Sequence, residues 1–241
     1  MAIPYQDKPS DKRTQVAQMF DNIAGRYDFL NHFLSLGIDR LWRKKAIAQL
    51  KDRAPERILD VATGTADLAL ESMKLKPAHI TGIDIAPQML EPGRKKIRKK
   101  GYGGTIQLQD GDSEAIDFPD ARFDAVTCAF GVRNFAHLDK GLKEMHRVLR
   151  PGGKIVILEF ARPRVFPVKQ MYMFYFRSLL PLWGRLISRD ARAYSYLPES
   201  VQEFPDRSVF ARHLEEAGFA QARWQTLTFG ITGLYVAEKP S

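Results

Sequence analysis

The sequence predicts an α/β fold built on a doubly wound, mostly parallel sheet. Three observations predict it. Short apolar strand patterns alternate with helical ones between residues 57 and 160, a tight glycine loop follows the first strand, and two more strand patterns close the chain. At 241 residues the chain can bury one sizeable α/β core but is short for two ordinary domains and a linker. One domain over residues 1–241 is therefore expected. It carries an N-terminal helical part (1–50) and an aromatic, proline-broken cap (161–205) inserted before the final helix and hairpin.

Residues 15–50 have helical spacing in pieces, with Gly25 and Gly37 as breaks. "RILDVA" from Arg57 is the first strand, and a helix starts at Asp67. "HITGIDI" is the second strand, followed by helix from Pro87 to Lys100. "TIQLQDGD" and "FDAVTCAF" are the third and fourth. A helix over Leu138 to Leu149 is expected to stop at Pro151-Gly152-Gly153 before "KIVILEF", the fifth strand. The alternation then lapses into an aromatic, proline-rich stretch, read as helices over the sheet edge where α/β ligands bind. "SVFARHLEEAGF" is an amphipathic helix, and "ARWQTLTFGITGLYVAEK" two antiparallel strands meeting near Gly230 and Gly233.

One cysteine, Cys128, excludes a disulfide framework and a cysteine-based metal site, so no metal is expected and a reducing, cytoplasmic setting is. The opening residues hold no apolar h-region, so no secretory leader is expected. The most apolar run, "MYMFYFRSLLPLWGRLI", is broken by Arg177, Pro181 and Arg185 and does not reach a membrane span. The 37 basic against 28 acidic residues leave +9, which suits an anionic partner: nucleic acid, an anionic membrane or an acidic small molecule. Six of the seven residues from Arg94 to Lys100 are basic; they read as a solvated helix face, or as a contact for lipid headgroups or nucleic acid.

The loop "DVATGTADLA" carries the chemistry. A pyrophosphate needs several backbone N–H groups brought close, which glycines at fixed spacing allow. Here Ala66 and Ala69 stand where a dinucleotide loop has its next glycines, and only Gly64 supplies the turn. Asp84 follows Gly64 by 20 residues at the end of the second strand, where a carboxylate can accept both ribose hydroxyls. The pair points to an adenosine ligand without a pyrophosphate, and S-adenosylmethionine fits. Asp112 and Ser113 follow the third strand and can meet the adenine amino group and a ring nitrogen, or simply form a turn. Asp60 can face the ligand's ammonium through water, and Asp67 can favour the positive end of its helix.

"YDFLNHFLSLGIDRLWRKK" (Tyr27 to Lys45), "LDVATGTADL", "FGVRNF", "RVLRPGGKIVILEF" and "RDARAYSYLPESVQEFPD" occur in that order. Together they resemble the menaquinone/ubiquinone biosynthesis C-methyltransferase family over nearly the whole chain. The resemblance implies a class I S-adenosylmethionine-dependent methyltransferase fold, Rossmann-like, with seven strands and an antiparallel last hairpin. It also implies methyl transfer to a ring carbon of a polyprenylated quinol, demethylmenaquinol before the ubiquinone precursor. Thr65, Asp84, Asp112 and Ser113 are then cofactor contacts, and Tyr27, in a lid formed by residues 1–50, can reach the methionine carboxylate. The family often has glycine at Ala66, histidine at Asp39 and serine at Ala129 and Ala161, so Ala129 can offer the cofactor only its backbone.

A quinol carbon becomes nucleophilic when the neighbouring hydroxyl loses its proton, so the site is expected to favour a phenolate. Arg133 and Asn134, after the fourth strand, are the candidates for catalysis. Arg133 is a poor base, its pKa lying above about 12, and is expected to stabilise the phenolate or orient a water; the alternative is a structural ion pair. His137 reads as structural. Tyr194 and Tyr196 are expected against the quinol ring or isoprenoid, or packed on the sheet. A bilayer-resident substrate suggests peripheral contact with the inner face of the cell membrane, and a homo-oligomer is compatible with the sequence. A nucleic-acid methyltransferase is the rival reading, but the Asn/Asp-Pro-Pro-aromatic turn such enzymes carry is absent from "CAFGVRNF". An inactive S-adenosylmethionine-binding scaffold is the third reading.

Overall fold

The structure, a computed structural model, describes residues 2–5, 9–28, 35–175 and 192–241. Its centre is a seven-stranded sheet of order β3-β2-β1-β4-β5-β7-β6. The strands are β1 (Arg57–Val61), β2 (His79–Asp84), β3 (Ile106–Asp110), β4 (Phe123–Ala129), β5 (Leu149–Phe160), β6 (Ala220–Leu227) and β7 (Thr232–Glu238). The first five run parallel, and β7 lies antiparallel between β5 and β6. This is the architecture the alternating patterns and the closing hairpin predict.

Strand periodicity distributes the core over two layers. Leu59, Val61, Ile83 and Val126 face one layer, covered by α5 (Leu138–Val148) and α8 (Ser208–Glu216). Ile58, Ile80 and Ala125 face the other, covered by α2 (Asp39–Ala48), α3 (Asp67–Ser72) and α4 (Pro87–Lys99). Each fully buried Leu or Ile contributes about 1.5–3 kcal/mol relative to exposure, so burial on both faces dominates what holds the sheet. Gly37 takes a left-handed φ of 75° at the entry to α2, as its reading as a break requires.

One boundary differs from expectation. α5 ends at Val148, and Leu149 is already extended (φ −77°, ψ 135°). β5 therefore runs through Pro151-Gly152-Gly153, and the irregularity appears as a register shift against β4, between Phe123 and Ala125. The proline ends helical pairing from two residues further on, because the residue before a proline is disfavoured in the helical region.

At the edge where β1–β5 end, the chain adds three helices: α1 (Lys12–Ile23), α6 (Val168–Phe174) and α7 (Arg192–Glu203). The apolar run after Tyr175, up to Ala191, lies outside the described residues. The opposite edge is closed by ion pairs: Lys154 Nζ reaches Asp52 Oδ2 at 2.8 Å and Arg53 reaches Glu238 at 2.7 Å.

Candidate active site

Parallel strands whose ends are in register present their following loops side by side. Val61 pairs with Ile83, Asp84 with Asp110, and Asp60 with Thr127, so the loops after β1, β2, β3 and β4 border one cleft. The cleft encloses roughly 670 Å³ of empty space, counting its solvent-facing mouth. Gly64, Asp84, Asp112, Ser113, Ala129 and Asn134 line it from the sheet side, and Tyr27 from the lid side. Seven of the expected site residues thus meet at one place.

The β1 loop turns through three left-handed positions, Ala62 (φ 52°), Gly64 (φ 55°) and Ala66 (φ 65°). The Ala66 methyl does not enter the cleft. It is fully buried and faces α4 at Gly93, where an added Cβ would lie 3.2 Å from it and 3.1 Å from the Thr65 carbonyl carbon. Gly93 thus makes the room that a glycine at position 66 would make in a dinucleotide loop.

Asp84 ends β2 with each oxygen on a backbone donor: Oδ2 accepts from Gly64 N at 2.7 Å, Oδ1 from Ala86 N at 2.9 Å. Burial pushes its pKa up to about 6, against the pull of those two hydrogen bonds. Each oxygen keeps a lone pair for a hydroxyl donor. Asp60 lies beneath the loop, outside the cleft wall, accepting from Thr63 Oγ1 and Thr127 Oγ1 at 2.7 Å each. Burial also pushes its pKa up to about 6. Thr65 is buried, and its hydroxyl donates to Asp28, which also pairs with Lys96 at 2.9 Å.

Helix α1 crosses the mouth and is held at both sides of the cleft. Arg13 meets Asp112 Oδ2 at 3.1 Å, and Lys12 Nζ donates to the Phe135 carbonyl at 2.9 Å. Neither basic residue was singled out by sequence reasoning, since the spacing of a helix does not reveal which loop lies under it. Tyr27 stacks edge-on against Phe20 with ring centroids 6.0 Å apart.

After β4, the turn Val132–Asn134 sends its two polar side chains different ways. Asn134 faces the cleft; its Nδ2 donates to the Phe130 carbonyl at 3.4 Å, and its buried Oδ1 has no hydrogen-bond partner among the described residues. Arg133 points inward, only 6% of its side chain exposed, with Nη1 donating to Glu159 Oε1 at 2.7 Å. Its own backbone N–H donates to Glu159 Oε2 at 3.2 Å, and its guanidinium stands 5.3 Å from the Phe160 ring centroid. Burial is the largest influence and opposes the charge, but Glu159 together with Tyr27 and Tyr196 outweighs it, so the guanidinium pKa is raised and the charge is kept. Glu159 itself is completely buried. It was missed at the sequence level, although one charge at the end of the apolar run "KIVILEF" was the available signal.

Tyr196, on α7, is buried in a cluster with Tyr5, Val16 and Met19. Its hydroxyl has no hydrogen-bond partner among the described residues, and burial pushes its pKa up to about 12. The side chain of Tyr194 lies outside the described residues. His137 caps the buried Glu114, its Nδ1 at 2.8 Å. Asp39 holds Arg43 in a buried pair on α2 rather than facing the cleft. In the basic run, Lys96 pairs with Asp28 and Asp67 and Arg94 with Glu91, while Lys95, Arg98, Lys99 and Lys100 are exposed. Residues 98–100 end α4 just before β3 begins, at the sheet edge opposite the cleft.

A parallel sheet with one reversed strand next to its edge, and a carboxylate-floored cleft over the ends of β1, β2 and β4, define a Rossmann-like methyltransferase. The comparisons agree with this class and narrow it. The [4+2]-cyclase SpnF shares the fold at a TM-score of 0.65 and 18% identity, over 97% of this chain and 98% of its own. A SAM-dependent methyltransferase from Thermotoga maritima, a possible histamine N-methyltransferase, does so at 0.63 and 18%, over 92% and 98%. The model of the ubiE/COQ5 methyltransferase family matches residues 8–239. A demethylmenaquinone methyltransferase of Bacteroides fragilis is 49% identical over 98% of this chain and 96% of its own length. A ubiquinone/menaquinone biosynthesis C-methyltransferase UbiE of Geotalea daltonii is 47% identical over 96% and 99%. The chain belongs to the ubiE/COQ5 methyltransferase family.

Proposed function

We propose that the protein methylates a ring carbon of a polyprenylated quinol, demethylmenaquinol, using S-adenosylmethionine. The observation that carries the substrate is the likeness, end to end, to relatives named for demethylmenaquinone methylation. The ubiquinone precursor is the second reading, favoured by relatives of similar identity named for both quinones.

The cleft suits the cofactor on its own chemistry. Asp84 would accept the ribose hydroxyls, with Gly64 N–H holding the carboxylate in place. Asp112 and Ser113 would meet the adenine, Ala129 would offer its backbone, and Tyr27 would close over the methionine end from the 1–50 lid. The unpartnered Asn134 Oδ1 supplies an acceptor for a ligand N–H or O–H, which fits a group bound there. Thr65 acts through Asp28 by fixing the lid, and Asp60 acts by fixing the Thr63 turn under the ligand rather than by touching it. Bound S-adenosylmethionine supplies an electrophilic methyl on a sulfonium, so no metal or oxidant is needed to activate it.

The remaining residues handle the quinol. Asn134 orients the hydroxyl next to the carbon that is methylated. Arg133 would act on the phenolate from behind the cleft wall, through the dipole of its buried pair with Glu159 rather than as a free charge. Tyr196, in the cap (161–205), would lie toward the ring or isoprenoid, and Tyr194 keeps the same expected role. Peripheral contact with an anionic membrane brings the enzyme to a substrate dissolved in lipid.

Purified protein with labelled S-adenosylmethionine, given demethylmenaquinol and the ubiquinone precursor in parallel, is expected to label the first ring faster. Labelling of RNA in place of either quinol sinks the substrate assignment. Asp84→Ala is expected to abolish cofactor binding in calorimetry, and unchanged affinity removes its ribose role.

A further inference from the structure

The exposed apolar side chains are concentrated on the edge of the molecule that carries the cleft. β5 ends at Phe160 and β7 begins opposite it at Thr232, so the chain after β5 and the turn before β7 share that edge. There Phe166 is 76% exposed and Phe229 75%, with Val165, Met171 and Phe174 also exposed. Helix α6 has two unlike faces. Tyr172 and Tyr175 turn inward onto the cluster that holds Tyr196, while Met171 and Phe174 turn outward.

The segment that leads from β5 into α6 carries charge of one sign. From Phe160 to Tyr175 the chain has no acidic residue and three basic ones: Arg162, Arg164 and Lys169. Arg162 and Arg164 both reach the buried Asp206 at 3.2 Å, and Arg207 approaches it at 3.7 Å. Three guanidiniums thus share one carboxylate, and the surplus faces solvent beside Val165 and Phe166. Exposed apolar side chains beside a surplus of cations match the two layers of an anionic bilayer surface, apolar below and phosphate above.

We propose that this edge docks on an anionic lipid bilayer, with Phe166, Met171, Phe174 and Phe229 entering the interface and Arg162, Arg164 and Lys169 meeting lipid phosphates. The inner face of α6 borders the Tyr196 cluster beside Arg133, so the docked side is also the side from which a lipid-dissolved ring reaches the site. The exposed run Arg98–Lys100 lies at the opposite edge and turns away from the lipid. This inference rests on reading the substrate as a prenylated quinol.

Flotation of the whole protein with phosphatidylcholine vesicles, with and without phosphatidylglycerol, tests it. The parent is expected to float with the anionic vesicles and to lose binding at raised salt. Phe166→Ser combined with Phe229→Ser, and separately Arg164→Glu combined with Lys169→Glu, are expected to weaken binding tenfold or more. Arg98→Glu combined with Lys99→Glu is expected to leave it unchanged. All three variants should bind S-adenosylmethionine in calorimetry as the parent does, which shows that they are folded; the parent is also assayed on a demethylmenaquinol with a single isoprene unit. No flotation of the parent, equal flotation of the cleft-edge variants, or weakening only by the Arg98 and Lys99 changes overturns the proposal. So does sedimentation showing that the apolar face instead joins two copies. Failure of the parent on the short-chain quinol counts against the substrate reading alone, because flotation is scored without substrate.

Discussion

At the scale of the residue, the site is governed by where charge is buried. Asp60 is held by two threonine hydroxyls, yet its pKa rises from 3.8 to about 6 because desolvation outweighs them. A carboxyl raised in this way stabilises the fold fully below its unfolded pKa and loses that contribution as pH rises through about 6. Asp60→Asn lacks the term. Its stability relative to the parent is expected to improve by about 2 kcal/mol between pH 4 and pH 7. Denaturant melts across that range check it, and a difference independent of pH refutes it. Arg133 and Glu159 are opposite charges buried together, so breaking the pair by removing one member is costly, about 3–5 kcal/mol. Glu159→Gln keeps the shape and one acceptor. It is expected to leave cofactor affinity within about twofold while kcat falls tenfold or more, about 1.4 kcal/mol of barrier. Calorimetry with steady-state kinetics separates the two, and unchanged kcat would mean that Glu159 is only structural.

Elements place these residues. The β1 loop was legible as an adenosine-type turn because Gly64 and Asp84 sit at fixed distances from strand ends, and strand ends follow from local pattern. The fit of Ala66 was not legible, because the glycine that accommodates it belongs to another helix. An added methyl at Gly93 would meet Leu108 at 2.8 Å and the Thr65 backbone at 3.1 Å. Gly93→Ala is therefore expected to destabilise the protein by about 1–3 kcal/mol despite better helix propensity. Chemical denaturation measures it, and a stabilised variant would show that the α4–loop contact yields easily. Helix α1 behaves likewise: its amphipathic spacing announces a buried face, but not that Lys12 and Arg13 reach opposite walls of the cleft.

For the whole molecule, the sheet brings loops from four strands to one edge and leaves the other edge sealed by Lys154–Asp52 and Arg53–Glu238. A ligand that binds only this assembled edge stabilises the entire cooperative unit. S-adenosylmethionine at about 100 times its Kd is expected to add about 2.7 kcal/mol of stability. The gain should disappear in Asp84→Ala, and thermal melts at several cofactor concentrations read it out. No helix among the described residues is long and apolar enough to cross a membrane.

The sequence by itself determined the strand order along the chain, the reversed last hairpin and the cofactor class, because each rests on a pattern spanning no more than about thirty residues. Only the tertiary structure decided that Arg13 covers Asp112, that Thr65 serves Asp28, and that Arg133 turns from the cleft onto Glu159 while Asn134 faces it. Those choices depend on which side of a turn is desolvated and on charges brought together from distant parts of the chain. Burial and Coulomb energy act through space, and local spacing does not record them.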